Sequence, residues 1–146
     1  MKPPATIVRV MGRVQTWVYR ASNGRLGSRF GKAHVLILTT TGRRSGRRRD
    51  APLIYVEDAG AYWIVGSFGG RDEHPGWVHN LRNDPAAVVR IGAHTHSVRA
   101  RQASPRDRER VWPALLEAYP AYKSYEGRTG RRFEVFALEP VAGNVT

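Results

Sequence analysis

Between residues 34 and 67, three runs rich in β-branched and aromatic residues follow one another: "HVLILTTT" (34–41), "APLIYVE" (51–57) and "YWIVGS" (62–67). Only an arginine-rich loop and a "DAGA" turn separate them. Each run is short for a helix and has the composition of a strand. Links this short cannot carry a parallel crossover, so the three strands have to pair antiparallel. The first is apolar without alternation, which predicts a strand buried on both faces. Residues 87–91 and 95–102 continue the pattern as a hairpin about Gly92 and Ala93, with Val98 and Ala100 alternating against Arg99 and Arg101. "FEVFAL" (133–138) reads as a sixth strand.

Helices flank this β-rich body. Ile7, Val10, Met11, Val14, Trp17 and Val18 recur at helical spacing, and Arg9, Arg13 and Arg20 fall together on the opposite side. This basic amphipathic helix is expected to pack its apolar face on the domain, with docking to an acidic membrane surface as the alternative. "SNGRLGSRFGK" reads as a glycine-marked loop, and "FGGRDEHPGWVHNLRNDP" as a glycine-rich loop entering a short helix with Pro75 in its first turn. Ser104 is placed to cap a further helix, with Pro105 first and Asp107 third. That helix offers Val111, Trp112, Leu115 and Leu116 for burial and ends before Pro120. Six strands with short links and helices at either end predict a mainly β (α+β) fold, a small antiparallel barrel with peripheral helices. The expected organisation is an N-terminal helix over residues 1–23 and a barrel over residues 24–146.

The 146 residues suit one domain, burying roughly 70% of the unfolded surface. The chain has no Cys, which excludes disulfides, thiolate metal sites and Cys nucleophiles and fits a reducing cytoplasm. No apolar run approaches a membrane span, and arginines interrupt the N-terminal segment where a signal peptide would be apolar. A cytoplasmic protein, with membrane association through the N-terminal helix as an option, is the expectation. The net charge of +12 is unevenly placed. Residues 1–49 hold twelve Lys and Arg and no acid, while the remaining twelve cations balance all twelve acids. An anionic partner is therefore expected at the N-terminal third.

Arg43, Arg44, Arg47, Arg48 and Arg49 crowd around Ser45 and Gly46 in the loop after the first strand. They make either a solvated turn or an anion clamp, since guanidinium forks match phosphate and carboxylate oxygens. The loop lacks the Gly-Lys-Ser/Thr ending of a phosphate-binding Walker loop, and no GxGxxG follows a strand.

"LILTTTGRRSGRRRDAPLIYV", "YWIVGSFGG", "HPGWVHNLRNDP" and "WPALLEAYPAYKSYEGRTGRRFEVFALEP" resemble, in order and spacing, the deazaflavin-dependent nitroreductase and quinone reductase family of actinobacteria. The resemblance covers residues 24–140 and implies a split β-barrel oxidoreductase using reduced coenzyme F-420. It implies that Arg43, Arg44, Ser45 and Arg49 hold the phosphate and polyglutamate tail, with Arg47 and Arg48 as solvated neighbours and Pro52 beside the coenzyme. Ser67, Gly69 and Gly70 correspond to a corner touching the deazaflavin ring, Ser67 near its reactive edge, and Trp77 and Asn80 to the coenzyme pocket. Tyr119, Tyr122 and Tyr125 correspond to a substrate wall, where the hydroxyls of Tyr122 and Tyr125 are placed to hand on a proton. For Trp77 and the tyrosines, plain packing is the competing reading. Ile54 and Phe68 depart from the family towards a more apolar pocket, which favours a quinone or another lipophilic acceptor over nitroimidazoles.

Hydride transfer needs positioning and exclusion of water more than a catalytic dyad. The sequence accordingly shows no Ser/His/Asp arrangement and no metal pattern; His94 and His96 read as part of an exposed hairpin. Two alternatives compete: the same barrel holding FMN or haem, and a basic nucleic-acid-binding barrel. Nucleic acid is not the expected partner, because Trp17, Trp63, Trp77 and Trp112 do not interleave with the cations as a stacking platform would.

Overall fold

The computed structural model describes residues 4–30, 33–66, 75–123 and 133–145. In chain order the elements are α1 (Ala5–Ala21), β1 (Arg29–Phe30), β2 (Ala33–Thr41), β3 (Arg48–Asp58), β4 (Ala61–Val65), α2 (Gly76–Asn83), β5 (Ala86–Ile91), β6 (His94–Gln102), α3 (Pro105–Ala118) and β7 (Val135–Val145). All strand pairings are antiparallel, and the sheet runs β1-β2-β3-β4-β7-β6-β5. A further pairing of β2 with β5, Leu38 opposite Val89, closes six strands into a barrel.

Strand periodicity divides the core into compartments. Leu36 and Leu38 of β2, Ile64 of β4, Val89 of β5, Val98 of β6 and Phe136 and Leu138 of β7 fill the barrel. Trp77, Val78 and Leu81 of α2 join the same cluster. The alternate residues point outward on two flanks. Val35 and Ile37 of β2 meet Tyr19 of α1, while Ala61, Trp63 and Val65 of β4 meet Val111 and Leu115 of α3. β2 is apolar on both faces because one face lines the barrel and the other lies under α1.

Several expectations are corrected. β3 begins at Arg48, so Arg48 and Arg49 are strand residues opposite Thr41 and Thr40, and the arginine turn shrinks to residues 42–47. β7 runs past Pro140 to Val145; a register irregularity between His96 and Val98 absorbs a proline that reads as a strand end. The loop before β2 contains β1. Pro75 is the N-cap of α2 and not part of its first turn. α3 has the expected cap, the Ser104 side chain accepting from the Asp107 N–H.

The largest correction concerns α1. Its apolar stripe faces outward: Ile7, Val10, Met11, Val14 and Trp17 are all exposed, Trp17 at 72%. The helix meets the barrel through Gly12, Thr16 and Tyr19. Thr16 is buried with its hydroxyl donating to the Gly12 carbonyl at 2.8 Å, and a Cβ at Gly12 would lie 3.6 Å from Pro52 Cδ. Fully buried Tyr19 donates to the Arg90 carbonyl at 3.3 Å and accepts from the Gly92 N–H at 2.7 Å. Small residues allow close approach and one tyrosine supplies the anchor, so the less apolar face is the one that docks.

A candidate coenzyme and acceptor cleft

The outer face of β3 lies between α1 and the segment following α3. A cleft of about 1300 Å³ opens there. Asp50, Pro52 and Ile54 of β3 line it together with α1, Arg43 and Arg44 of the turn, and Tyr119 and Tyr122 beyond α3. A smaller groove of about 380 Å³ by His34, Tyr55 and Glu57 lacks this concentration of cations.

The turn is built tightly. The Gly42 N–H donates to the Arg47 carbonyl at 2.7 Å, and the Gly46 N–H to the Gly42 carbonyl at 2.9 Å. A Cβ at Gly42 would come within 2.8 Å of Ser45 Oγ and 3.1 Å of the Arg47 carbonyl oxygen, so a larger residue there would displace the serine hydroxyl. Ser45 Oγ accepts from the Arg47 N–H at 3.1 Å. The second residue of the turn is anchored from α2: Asn80 Oδ1 accepts from the Arg43 N–H at 3.0 Å, while Asn80 Nδ2 donates to Thr40 Oγ1 at 3.0 Å. Asn80 is 7% exposed with both ends of its amide engaged inside the chain, so it positions the turn.

Beside the turn, Asp50 Oδ1 accepts from the Thr39 hydroxyl at 2.6 Å and Oδ2 from Arg20 Nη2 at 3.0 Å. The first acid of the chain thereby ties α1 to β3. Sequence reading missed this role, although an isolated Asp directly after an arginine run is a signal that could have raised it. Gly12 and Thr16 as cleft residues were missed too; their spacing of four along the helix was the available sign.

The aromatic residues divide their surfaces between core and cleft. Trp77 is 7% exposed and meets Phe136 edge to face, with ring centroids 5.8 Å apart. Tyr122, also buried, stacks on Trp112 at 6.3 Å and meets Tyr119 edge to face at 4.9 Å. Packing and cleft lining are therefore not alternatives for these residues.

Of the site residues expected from sequence, Arg43, Arg44, Ser45, Arg49, Pro52, Ile54, Trp77, Asn80, Tyr119 and Tyr122 all border this cleft. Arg48, expected to be only a solvated neighbour, borders it as well; Arg47 is not among its lining residues. Ser67, Phe68, Gly69, Gly70 and Tyr125 lie outside the described residues.

A closed antiparallel barrel of six strands with peripheral helices defines the split-barrel class. Comparison with known proteins makes the class specific. A family model described as F420H(2)-dependent quinone reductase matches residues 10–140, and the chain belongs to that family. An F420H(2)-dependent quinone reductase of Mycobacterium tuberculosis strain H37Rv is 36% identical over 130 residues, 86% of this chain and 87% of that protein. Among solved structures, an F420-H2 dependent reductase, FDR-A, is 38% identical with a TM-score of 0.66, over 72% of this chain and 93% of that one. A second, described as a domain-swapped dimer, is 32% identical with a TM-score of 0.69, over 94% of this chain and 100% of that one.

Proposed function

We propose that this protein is an oxidoreductase that binds reduced coenzyme F-420 in the cleft over β3 and reduces a lipophilic, quinone-like acceptor beside it. One observation carries the reading: a single cleft gathers the arginine turn, the apolar floor of Pro52 and Ile54, and the Tyr119 and Tyr122 wall. The donor set suits the coenzyme, since guanidiniums match phosphate and carboxylate oxygens and a floor without charge suits a flat ring. The coenzyme, when bound, supplies a hydride.

The chain's own residues hold, orient and shield. Arg43, Arg44, Ser45 and Arg49 bind the phosphate and anionic tail, and Asn80 keeps the Arg43 end of the turn in place. Pro52, Ile54 and Trp77 exclude water from the ring side. Tyr119 and Tyr122 form the acceptor wall. Reduction of a quinone to a hydroquinone takes up one proton with the hydride, and the Tyr122 hydroxyl is the proposed donor, re-protonated from solvent. From the family resemblance we assign Ser67, Gly69 and Gly70 to the ring edge and Tyr125 to the acceptor side. In this reading residues 24–146 form the oxidoreductase domain and residues 1–23 its basic helix. The apolar floor of Pro52 and Ile54 favours a quinone-like or nitroaromatic lipophilic acceptor over nitroimidazoles.

Titration of the purified protein with F-420, followed by tryptophan quenching with FMN in parallel, tests the reading. Selective F-420 binding and single-turnover reduction of menadione are expected; FMN binding without F-420 binding would overturn it.

The outward stripe of α1 supports a second, separate proposal. Five exposed apolar residues, of which Met11 and Trp17 also border the cleft, suit peripheral contact with an anionic lipid surface, where a lipophilic acceptor would reside. Among the described residues no helix is long and apolar enough to cross a membrane. The protein is expected to float with phosphatidylglycerol vesicles and not with phosphatidylcholine vesicles, and Trp17→Glu to abolish flotation. A concentration-dependent dimer with no flotation would assign the stripe to a second copy.

A further inference from the structure

Tyr119 and Tyr122 border the cleft but lie beyond the end of α3. The helix stops at Ala118, and Tyr119, placed before Pro120, leaves helical geometry with φ −147° and ψ 89°. The main chain then makes a single turn, in which the Tyr122 N–H donates to the Tyr119 carbonyl and the Lys123 N–H to the Pro120 carbonyl, both at 3.2 Å. One turn of backbone sets where Tyr122 begins. The plane of its ring is set by what the ring touches.

Those contacts lead back to α3. Tyr122 stacks on Trp112 with ring planes 28° apart and meets Tyr119 edge to face. The Arg108 guanidinium lies over the Trp112 ring, 4.5 Å from its centroid. Arg108 and Trp112 are four residues apart on α3, the spacing at which side chains of one helix meet. The same guanidinium donates through Nη1 to the Phe133 carbonyl, just before β7. A planar guanidinium can donate in its plane and stack through its face at once. Val111 and Leu115 fill the core under α3, while Trp112, partly buried at its margin, engages Arg108 and Tyr122. Arg108 and Trp112 are not among the residues lining the cleft, so they bear on it through Tyr122.

We infer that Arg108 and Trp112 are positioning residues for acceptor reduction: they brace the Tyr122 ring, and with it the hydroxyl assigned above as proton donor. The inference rests on the acceptor-wall reading of Tyr122 and extends it to two residues that do not touch the acceptor. A misplacement of about 1 Å can cost about a hundredfold in rate. The brace therefore acts on turnover and leaves coenzyme binding alone.

The test compares the full-length parent with Trp112→Leu, Trp112→Phe and Arg108→Lys for F-420 affinity, for steady-state reduction of menadione by reduced F-420, and for the flip rate of the Tyr122 ring by NMR of ring-labelled tyrosine. Trp112→Leu is expected to lower kcat about tenfold, the scale of one lost aromatic stack, to bind F-420 as the parent does, and to speed the Tyr122 flip. Trp112→Phe keeps a ring and should retain most of the rate; Arg108→Lys keeps the charge without the flat face and should fall between parent and Trp112→Leu. In a Tyr122→Leu background, Trp112→Leu should cost nothing further, because the group it positions is gone. Equal fractional loss in both backgrounds would overturn the brace and leave Trp112 a packing residue, as would an unchanged Tyr122 flip rate. If Trp112→Leu does not fold, Arg108→Lys carries the same comparison, with a partial loss expected in the parent and none in the Tyr122→Leu background. Undiminished turnover by Tyr122→Leu alone would remove Tyr122 from the acceptor wall and the brace with it. Failure of the parent to bind F-420 would instead overturn the coenzyme assignment, and the flip rate still decides whether Trp112 and Arg108 hold the ring.

Discussion

Asn80 commits both ends of its side-chain amide to the chain, and this makes it the most exacting residue of the cleft. Asn80→Ala leaves the buried Thr40 hydroxyl and the Arg43 N–H without the partners shown here. A loss of about 1–3 kcal/mol in urea unfolding is expected, together with weakened F-420 binding as the turn loosens. Loss of stability with undiminished affinity would separate the turn from the coenzyme. Away from the cleft, burial pushes the Tyr55 phenol up to about 12, reinforced by the Glu57 charge. Because the folded-state value lies above the ordinary 10.0, this contribution to stability is complete below pH 10 and lost as pH rises through 10 to 12. Tyr55→Phe should flatten alkaline unfolding over that window; Tyr19 and Tyr62, also raised by burial, retain part of the slope. Neither role was legible in sequence. An Asn in "WVHNL" acquires its partners, and a Tyr in "LIYV" its burial, only when segments distant in the chain come together.

α1 shows the same limit for an element. Its periodicity establishes that a helix forms and which stripe is apolar, and both statements match the structure over Ala5–Ala21. Periodicity says nothing about what covers that stripe. The docking side was set by the fit of Gly12 against Pro52 of β3, the burial of Thr16 and the anchoring of Tyr19 at the β5–β6 hairpin. Tyr19→Phe removes the acceptor of the Gly92 N–H, and a loss of about 1–3 kcal/mol is expected. Amide exchange across α1 should rise more than exchange in the barrel strands; a uniform rise would mean that helix and barrel unfold as one unit. A Cβ at Gly24, which has φ +80°, would fall 2.4 Å from the Gly92 Cα, so this anchor also depends on backbone contact. β7 differs for another reason: a proline that ends a strand in isolation is tolerated where the partner ladder already has an irregularity.

For the molecule as a whole, charge is the property most plainly readable and most directly functional. Twelve cations precede the first acid, and the fold brings seven arginines from α1, the turn and β3 to one cleft. Arg43→Ala/Arg44→Ala is expected to weaken F-420 binding and flatten its dependence on salt while leaving thermal unfolding nearly unchanged, because both side chains are exposed. Titrations at low and high ionic strength check this, and an unchanged salt dependence would remove the turn from the site. Strand identity, antiparallel pairing and the cationic N-terminal third follow from local composition, short links and charge counting, which need no partner to be specified. The closure of β2 on β5, the side of α1 that docks, and the gathering of residues 9 to 122 around one cleft depend on contacts between segments far apart in the chain. Those contacts are decided by packing and complementary shape, which only the folded structure contains.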